Sequence, residues 1–213
     1  MDQNVRLSFE DLLLVVDVQN DFCSGGALAV PDGDSVVPSV NRLMAGFRQV
    51  ALTQDWHPRG HVSFASSHQG MVPLQTIELP YGTQILWPDH CVPGTRGADF
   101  HPALASVYAQ VIVRKGFNPM LDSYSALYEN DRKSATGLRG YLRERGIRRL
   151  FIAGLALDFC VQYSALDARR DGFEVTVIED AVRGIDVNAS VEKAWKAMAV
   201  VGVRRIREHE LAL

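Results

Sequence analysis

The stretch Leu12-Leu13-Leu14-Val15-Val16-Asp17 decides the fold of this chain. Five consecutive apolar residues that end at a carboxylate fit a strand buried on both faces, which is typical of a parallel sheet. Similar short apolar runs recur at 50–53, 111–113, 150–153 and 175–178, and a weaker one at 203–206. The six runs together predict a parallel sheet of six strands.

Segments with helical periodicity separate these runs. After Asp34 and Ser35, which are candidate N-caps, apolar residues recur at helical spacing over 36–47. Two further periodic segments end at Gly146 and Gly202, and each glycine is a candidate left-handed helix cap. Because strands and helices alternate throughout, we expect an α/β fold with three layers, α/β/α.

The composition is that of a globular enzyme-sized domain. The chain of 213 residues has 47% hydrophobic and 22% charged residues and a net charge of −3, which does not favour binding to nucleic acid or to anionic membranes. We expect one domain, 1–213, with neither a signal peptide nor a membrane span. Three widely separated cysteines form a poor disulfide framework and predict a cytoplasmic location.

A long excursion at about 55–102 interrupts the alternation of strands and helices. It holds six of the nine prolines and five of the six histidines. Irregular segments of this length in a compact domain commonly carry function. One carboxylate with several imidazoles suits a divalent transition metal such as Zn, Fe or Mn. Any single histidine is better explained as a solvated loop residue, but the cluster as a set favours a metal site. The candidate ligands are Asp55, His57, His61 and His90.

Cys160 lies where a predicted strand turns into a helix. Unpaired N–H groups at a helix N-terminus lower a thiol pKa and can bind an oxyanion, so a nucleophilic role is as plausible here as that of a buried structural cysteine. Asp158 immediately precedes this helix and is a candidate N-cap.

Two other charged residues end predicted strands. Asp17 closes the first run and Lys115 closes the run at 111–113. Because the carboxyl ends of parallel strands form one crevice, we expect both residues to meet Cys160 there. Lys115 would then stabilise a thiolate, and Asp17 would carry the proton between the thiol and a leaving amine.

Six ordered motifs in this chain resemble the nicotinamidase (pyrazinamidase) group of isochorismatase-like cysteine hydrolases. They lie at 16–26, 54–57, 87–92, 114–116, 122–126 and 154–161. The resemblance extends over nearly the whole chain. It implies a Rossmann-like parallel sheet in the order 3-2-1-4-5-6. It also implies hydrolysis of nicotinamide to nicotinate and ammonia through a cysteine thioester, in NAD salvage, with pyrazinamide as a further substrate.

The resemblance also assigns roles to individual residues. It implies a catalytic triad of Asp17, Lys115 and Cys160, and an oxyanion hole formed by the N–H groups of Ala156 and Cys160. It implies a substrate pocket lined by Phe22, Trp87, Tyr124 and Leu155. It implies one divalent metal, held by Asp55, His57, His61 and His90, that binds the pyridine nitrogen of the substrate.

Three further expectations follow from the same resemblance. The peptide bond before Ala156 should be cis. The chain carries Leu157 where the group commonly has threonine, a difference that touches neither the triad nor the metal ligands. A homo-oligomer is expected from the family and from the apolar C-terminal helix.

Two alternatives stay open at this point. Another amide or carbamoyl hydrolase of the superfamily would keep the triad but would not need the four metal-ligand candidates. Isochorismatase itself is disfavoured because it lacks the nucleophilic cysteine. A non-catalytic metal-binding protein on the same fold would explain the histidines but would leave Asp17, Lys115 and Cys160 without a role.

Overall fold

The computed structural model describes residues 5–213, so the first four residues of the polar N-terminal stretch lie outside the described residues. The strands are β1 (Val5–Arg6), β2 (Asp11–Val16), β3 (Val50–Asp55), β4 (Thr76–Leu79), β5 (Gly82–Ile85), β6 (Val111–Lys115), β7 (Arg149–Leu155), β8 (Glu174–Arg183), β9 (Arg204–Ile206) and β10 (Leu211–Ala212). The α-helices are α1 (Val36–Gly46), α2 (Leu138–Glu144), α3 (Gln162–Arg170) and α4 (Ser190–Val200).

The main sheet contains six strands in the spatial order β6-β3-β2-β7-β8-β9, and every neighbouring pair is parallel. Numbered along the chain, these strands have the order 3-2-1-4-5-6, so the predicted sheet and its topology are confirmed. The central strand β2 is fully buried along its length because it has a paired strand on each side and helices over both faces. This position explains its continuous apolar sequence.

Two apolar cores lie on opposite faces of the sheet. Leu13 and Val15 of β2 point into the core that includes the buried face of α1. Leu12, Leu14 and Val16 point into the other core, where α2, α3 and α4 pack. Successive residues of a strand point to opposite faces, so one uninterrupted apolar run supplies both cores. The predicted three-layer α/β/α arrangement is confirmed.

The excursion at 55–102 is largely irregular, as its sequence predicts, but it contains one regular element. Strands β4 and β5 form an antiparallel hairpin that is separate from the main sheet. Most hairpin side chains are exposed or half-buried, whereas Gln84 is 1% exposed. The hairpin was not expected because its short strands have few apolar residues.

The helix ends agree only in part with the sequence signals. Gly146 and Gly202 adopt φ values of 71° and 77° directly after α2 and α4, so both predicted left-handed caps are confirmed. Ser35 occupies the N-cap of α1 without a side-chain cap bond. The carboxylate of Asp34 instead accepts hydrogen bonds from the amide and hydroxyl of Ser24.

Within residues 5–213, the structure has no helix of the length and apolar character needed to cross a membrane.

Gly154 in β7 is the position where the sheet tolerates no side chain. Its φ is +111°, and a Cβ atom there would lie 2.1 Å from the carbonyl oxygen of Val16. We expect Gly154→Ala to lower the free energy of unfolding well beyond the roughly 1–2 kcal/mol that the left-handed conformation alone costs an alanine. Gly172→Ala is the matched control, because Gly172 has a φ of +92° and open space around it. Urea unfolding of both variants measures the difference, and equal losses would contradict this packing argument.

Candidate active site

Four strands deliver polar residues to one edge of the sheet. Asp17 directly follows β2, Asp55 ends β3, Lys115 ends β6, and Cys160 lies in a π-helical turn (Leu157–Val161) between β7 and α3. Asp55 and Lys115 are also paired in register on adjacent strands. The parallel strands therefore bring together four residues that are distant in sequence.

The Lys115 ammonium is the centre of this cluster. Its Nζ lies 2.8 Å from Asp17 Oδ2 and 3.3 Å from Cys160 Sγ, and it also forms an ion pair with Asp55. A fourth contact, of 3.1 Å, joins Nζ to the carbonyl oxygen of Ser123. Burial lowers the pKa of Lys115, but the two carboxylates outweigh burial and raise it well above its usual value. The ammonium group is therefore charged throughout the working pH range.

Asp17 and Cys160 are fully inside the protein and both hold their protons more tightly than in water. Burial raises the pKa of Asp17, although the Lys115 charge opposes the shift. Burial likewise raises the pKa of the Cys160 thiol well above its usual value. The sequence predicted a lowered thiol pKa, but in this structure the pKa is raised, because loss of hydration outweighs the charge of Lys115. The thiol needs a base to become nucleophilic.

Asp17 is close enough to serve as that base. One carboxylate oxygen each of Asp17 and Asp55 and the Sγ atom of Cys160 all lie within 4.8 Å of one another. The hydroxyl of Thr53 donates a 2.6 Å hydrogen bond to Asp17 Oδ1 and accepts a 3.1 Å bond from the Asp17 amide. The other carboxylate oxygen of Asp17, Oδ2, therefore faces Lys115. Thr53 was not predicted from the sequence. It precedes Asp55 by two residues, so both side chains lie on the same face of β3.

A narrow cavity lies beside the Cys160 thiol. Aromatic and aliphatic side chains form most of its wall, and polar side chains, which include three candidate metal ligands, complete it beside the Cys160 thiol. Its lining residues are Phe22, Leu28, Asp55, His57, Trp87, His90, Asp122, Tyr124, Ala156, Phe159, Cys160 and Ile185. The cavity thus suits a small, mainly apolar ligand that also carries polar groups.

Leu155 is the pocket candidate that the structure places elsewhere. Its side chain is fully buried in the core on the α1 face and is not among the residues lining the cavity. The peptide bond between Leu155 and Ala156 is cis, as the resemblance implies. Ala156 lines the cavity, whereas Leu157 is buried in the core on the opposite face of the sheet. The leucine that replaces the usual threonine is therefore not among the residues that line the pocket.

Hydrogen bonds fix which nitrogen of His57 carries a proton. Nε2 lies 2.9 Å from Asp122 Oδ1, and Asp122 also accepts bonds from the Ser123 amide and from Gln84 Nε2. An ionised carboxylate can only accept hydrogen bonds, so its partner atom, Nε2 of His57, must carry a hydrogen. When the ring is neutral, Nδ1 is then the lone-pair nitrogen; burial lowers the pKa of His57, but the carboxylates of Asp55 and Asp122 outweigh burial and raise it, so a metal ion would have to displace a proton from Nδ1. Nδ1 is buried and has no hydrogen-bond partner among the described residues.

His90 presents its other nitrogen to the same space. Its Nδ1 lies 2.8 Å from the carbonyl oxygen of Pro88, an acceptor only, so the lone pair is on Nε2, 3.8 Å from Asp55 Oδ2. Ligand atoms of Asp55, His57 and His90 all lie within 4.8 Å of one another. One carboxylate and two lone-pair nitrogens, one without a partner, fit a divalent transition metal.

His61 is close to this set but is turned away from it. Its ring centroid is 4.5 Å from that of His57, yet both of its nitrogens are occupied. Nε2 donates to the carbonyl oxygen of Asn118 at 2.9 Å, and Nδ1 accepts from the Ser63 hydroxyl at 2.7 Å. Burial lowers the pKa of His61 to about 4. It can join a metal only by breaking these bonds, so the expectation of four ligands reduces to three in this structure.

Cys91 also lies close to the metal ligands without being one of them. The residue is fully buried in the core on the α1 face, and burial raises the pKa of its thiol well above the usual value. This places Cys91 among the packing residues.

Asp122 and Gln84 are site residues that sequence reasoning missed. Asp122 is 1% exposed, and although burial raises its pKa, the hydrogen bond that His57 donates contributes to lowering it to about 2. It belongs to the motif at 122–126 that carries the resemblance, which was the available signal. Gln84 had no signal, because a lone glutamine in a polar hairpin is ordinary.

Asp158 was predicted to cap the helix, but its side chain does not do so. Its carboxylate accepts bonds from the amides of Ile185 and Asp186, at 3.0 and 2.8 Å, and from the Ser190 hydroxyl at 2.5 Å. The turn before α3 directs this side chain across to the segment after β8, which offers three donors. Asp158 therefore joins the turn that carries Cys160 to the segment that carries Ile185, a wall residue of the cavity.

Several known proteins are similar to this chain over most of its length. A nicotinamidase of Acinetobacter baylyi is 52% identical over 93% of each chain. The solved Acinetobacter baumanii nicotinamidase/pyrazinamidase is 53% identical, with a TM-score of 0.94 over 95% of this chain and 98% of the other.

Two more distant solved structures contain ligands. An L. infantum protein in complex with nicotinate has 35% identity and a TM-score of 0.86, with 98% of each chain covered. A Pyrococcus horikoshii pyrazinamidase in complex with zinc has 36% identity and a TM-score of 0.75, over 93% of this chain and 99% of the other. The model of the isochorismatase domain matches residues 11–208. The chain therefore belongs to the isochorismatase family.

Proposed function

We propose that this protein is a nicotinamidase, an amidohydrolase that converts nicotinamide to nicotinate and ammonia and that also accepts pyrazinamide. The observation that carries the proposal is a buried thiol, ammonium and carboxylate at one end of a flat aromatic cavity, with three candidate metal ligands at the other. A planar pyridine ring with a carboxamide matches this division. The similarity to nicotinamidases and to a nicotinate complex supports the same substrate.

The first half of the reaction forms a thioester. The carboxylate of Asp17 accepts the Cys160 proton, and the sulfur attacks the carboxamide carbon. The backbone N–H groups of Ala156 and Cys160 stabilise the oxyanion that develops on the former carbonyl oxygen. Asp17 then returns the proton to the amide nitrogen, the C–N bond breaks and ammonia leaves. Throughout, the charge of Lys115 favours both the thiolate and the ionised Asp17.

The second half releases the acid. Asp17 removes a proton from a water molecule, and the resulting hydroxide attacks the thioester carbon. The C–S bond breaks, the proton on Asp17 returns to the Cys160 sulfur, and the acid loses its remaining proton to solvent and is released as nicotinate. Aromatic walls that include Phe22, Trp87 and Tyr124 hold the ring so that the carbonyl carbon stays in contact with the sulfur.

Asp55, His57 and His90 would hold the metal, a divalent zinc, iron or manganese ion, which supplies a ligand position for the pyridine nitrogen of the substrate. The zinc complex of the related pyrazinamidase supports a divalent ion. His61 would lie beside the ligand His57 without binding the metal, because both of its ring nitrogens are hydrogen-bonded to protein groups.

Three wider features belong to the same proposal. The chain works as one domain, 1–213, in which the excursion at 55–102 supplies the metal ligands. It acts in NAD salvage in the cytoplasm, in agreement with three free buried thiols. It forms a homo-oligomer through exposed apolar surface that includes Val200 at the end of α4, which is 85% exposed.

Substitution of the nucleophile tests the chemistry directly. We expect Cys160→Ala to lower kcat by roughly 10⁴-fold or more while nicotinate still binds, because only the attacking atom is lost. Ammonia release measures turnover, and equilibrium binding of nicotinate measures the pocket. Cys23→Ala is the matched control, since Cys23 is also a buried thiol but lies outside the cavity lining. Near-normal turnover by Cys160→Ala would refute the mechanism.

Metal removal tests the other end of the cavity. Ammonia release from nicotinamide should fall when the protein is stripped with a chelator and should return on addition of zinc, iron or manganese. His57→Ala should not regain activity, whereas the control His68→Ala should, because His68 bonds only to the Val62 carbonyl oxygen. Full activity of the stripped protein would favour a metal-independent amidase of the same family.

The hydrogen bond from Thr53 predicts a shift in the pH profile. This bond stabilises the charged form of Asp17 and so opposes the rise in its pKa. Asp17 must be ionised to act, so activity is lost as the pH falls through its pKa. In Thr53→Val the acid limb of kcat/KM should move to higher pH by about one unit, the equivalent of one hydrogen bond to a charged group. Thr53→Ser should restore the original limb, and an unshifted limb in Thr53→Val would contradict this role.

A further inference from the structure

Gln84 links the hairpin to the polar end of the cavity. This side chain on β5 is buried, and its Nε2 atom lies 2.8 Å from Asp122 Oδ2, 3.1 Å from Tyr124 Oη and 2.7 Å from the carbonyl oxygen of Ile85. Its Oε1 accepts a 3.1 Å bond from the hydroxyl of Tyr81. The amide is therefore held at both ends, although it belongs to an otherwise exposed element.

Asp122 transmits this contact to His57. Its Oδ2 accepts from Gln84, while its Oδ1 accepts from His57 Nε2 at 2.9 Å and from the Ser123 amide at 2.8 Å. All three partners donate, so neither carboxylate oxygen can rotate without losing a bond in the buried interior. The imidazole of His57 is thereby held in one orientation and one tautomer, with Nδ1 towards Asp55 and His90.

We infer that Asp122 and Gln84 are positioning residues that orient His57 for metal binding and that connect the β4–β5 hairpin to the metal site. The inference rests on the proposed function only in taking Asp55, His57 and His90 as the metal ligands. A carboxylate that accepts the second N–H of a ligating histidine fixes its ring and increases its basicity, and losing such a partner typically weakens metal binding about 10–100-fold.

The same glutamine also contacts the wall of the cavity. Trp87 Nε1 donates to the hydroxyl oxygen of Tyr124 at 3.0 Å, Gln84 Nε2 lies 3.1 Å from the same oxygen, and Tyr124 and Trp87 line the cavity. One amide group therefore positions both a metal ligand, through Asp122, and an aromatic wall residue. We expect loss of Gln84 to weaken metal binding and to raise KM for nicotinamide together.

Zinc affinity of the full-length, metal-stripped protein tests the inference without relying on activity. Competition with a chromogenic chelator at fixed pH gives the apparent Kd for zinc. We expect this Kd to rise about 10–100-fold in Asp122→Asn. In Gln84→Met, which keeps the length of the side chain but removes the amide, we expect a rise of several-fold.

Thr83→Val is the matched control from the same strand. Its hydroxyl bonds only to Glu78 across the exposed face of the hairpin, so the zinc Kd should stay within two-fold of the unsubstituted protein. A folded Asp122→Asn, verified by circular dichroism, with an unchanged zinc Kd would overturn the inference. So would equal effects of Gln84→Met and Thr83→Val.

A second measurement covers the case in which Asp122→Asn fails to fold. Imidazole ¹⁵N spectra of the metal-free protein should show the Nε2–H tautomer of His57, and in Gln84→Met they should show a mixture of tautomers. A spectrum unchanged by Gln84→Met would overturn the inference. Failure of the proposed function is distinguishable, because it would appear as tight zinc binding by the unsubstituted protein without ammonia release from nicotinamide.

Discussion

The buried ammonium group of Lys115 is the interaction on which the rest of the site depends. A charge with no solvent exposure is tolerated only when partners compensate for its lost hydration, and here two carboxylates, a thiol and a carbonyl oxygen surround it. Removing one partner of such a buried pair commonly costs about 3–5 kcal/mol. The cluster therefore stabilises the carboxyl edge of the sheet while it prepares Cys160 for attack.

Asp55 connects the two halves of the site. One of its oxygens pairs with Lys115, and the other faces the lone-pair nitrogen of His90. The nucleophile and the metal-ligand set are thereby fixed relative to each other by a single side chain at the end of β3. Under the proposed function, a substrate held between them would have its reactive carbon at the thiol and its ring nitrogen at the metal ligands.

Sequence reasoning located most of the site because strand ends in a parallel sheet are predictable. Asp17, Lys115 and Cys160 could be placed at one edge from the apolar runs that precede them. Sequence reasoning failed where a side chain contacts a part of the fold that is distant in sequence. Asp158 crosses to the segment after β8 instead of capping its own helix, Leu155 turns into the core, and Gln84 reaches the site from a hairpin with no apolar signature.

The sequence by itself determined the six-stranded parallel sheet, the edge at which the polar residues meet and the concentration of imidazoles in one excursion, because these depend on local periodicity and on the general geometry of parallel strands. Only the tertiary structure decided which histidines offer a lone pair. That choice depends on acceptors 57 and 65 residues away, Asn118 for His61 and Asp122 for His57. The tertiary structure also decided the direction in which the pKa of the thiol shifts. Burial outweighs the charge of Lys115, and this burial cannot be known before the chain has closed around Cys160.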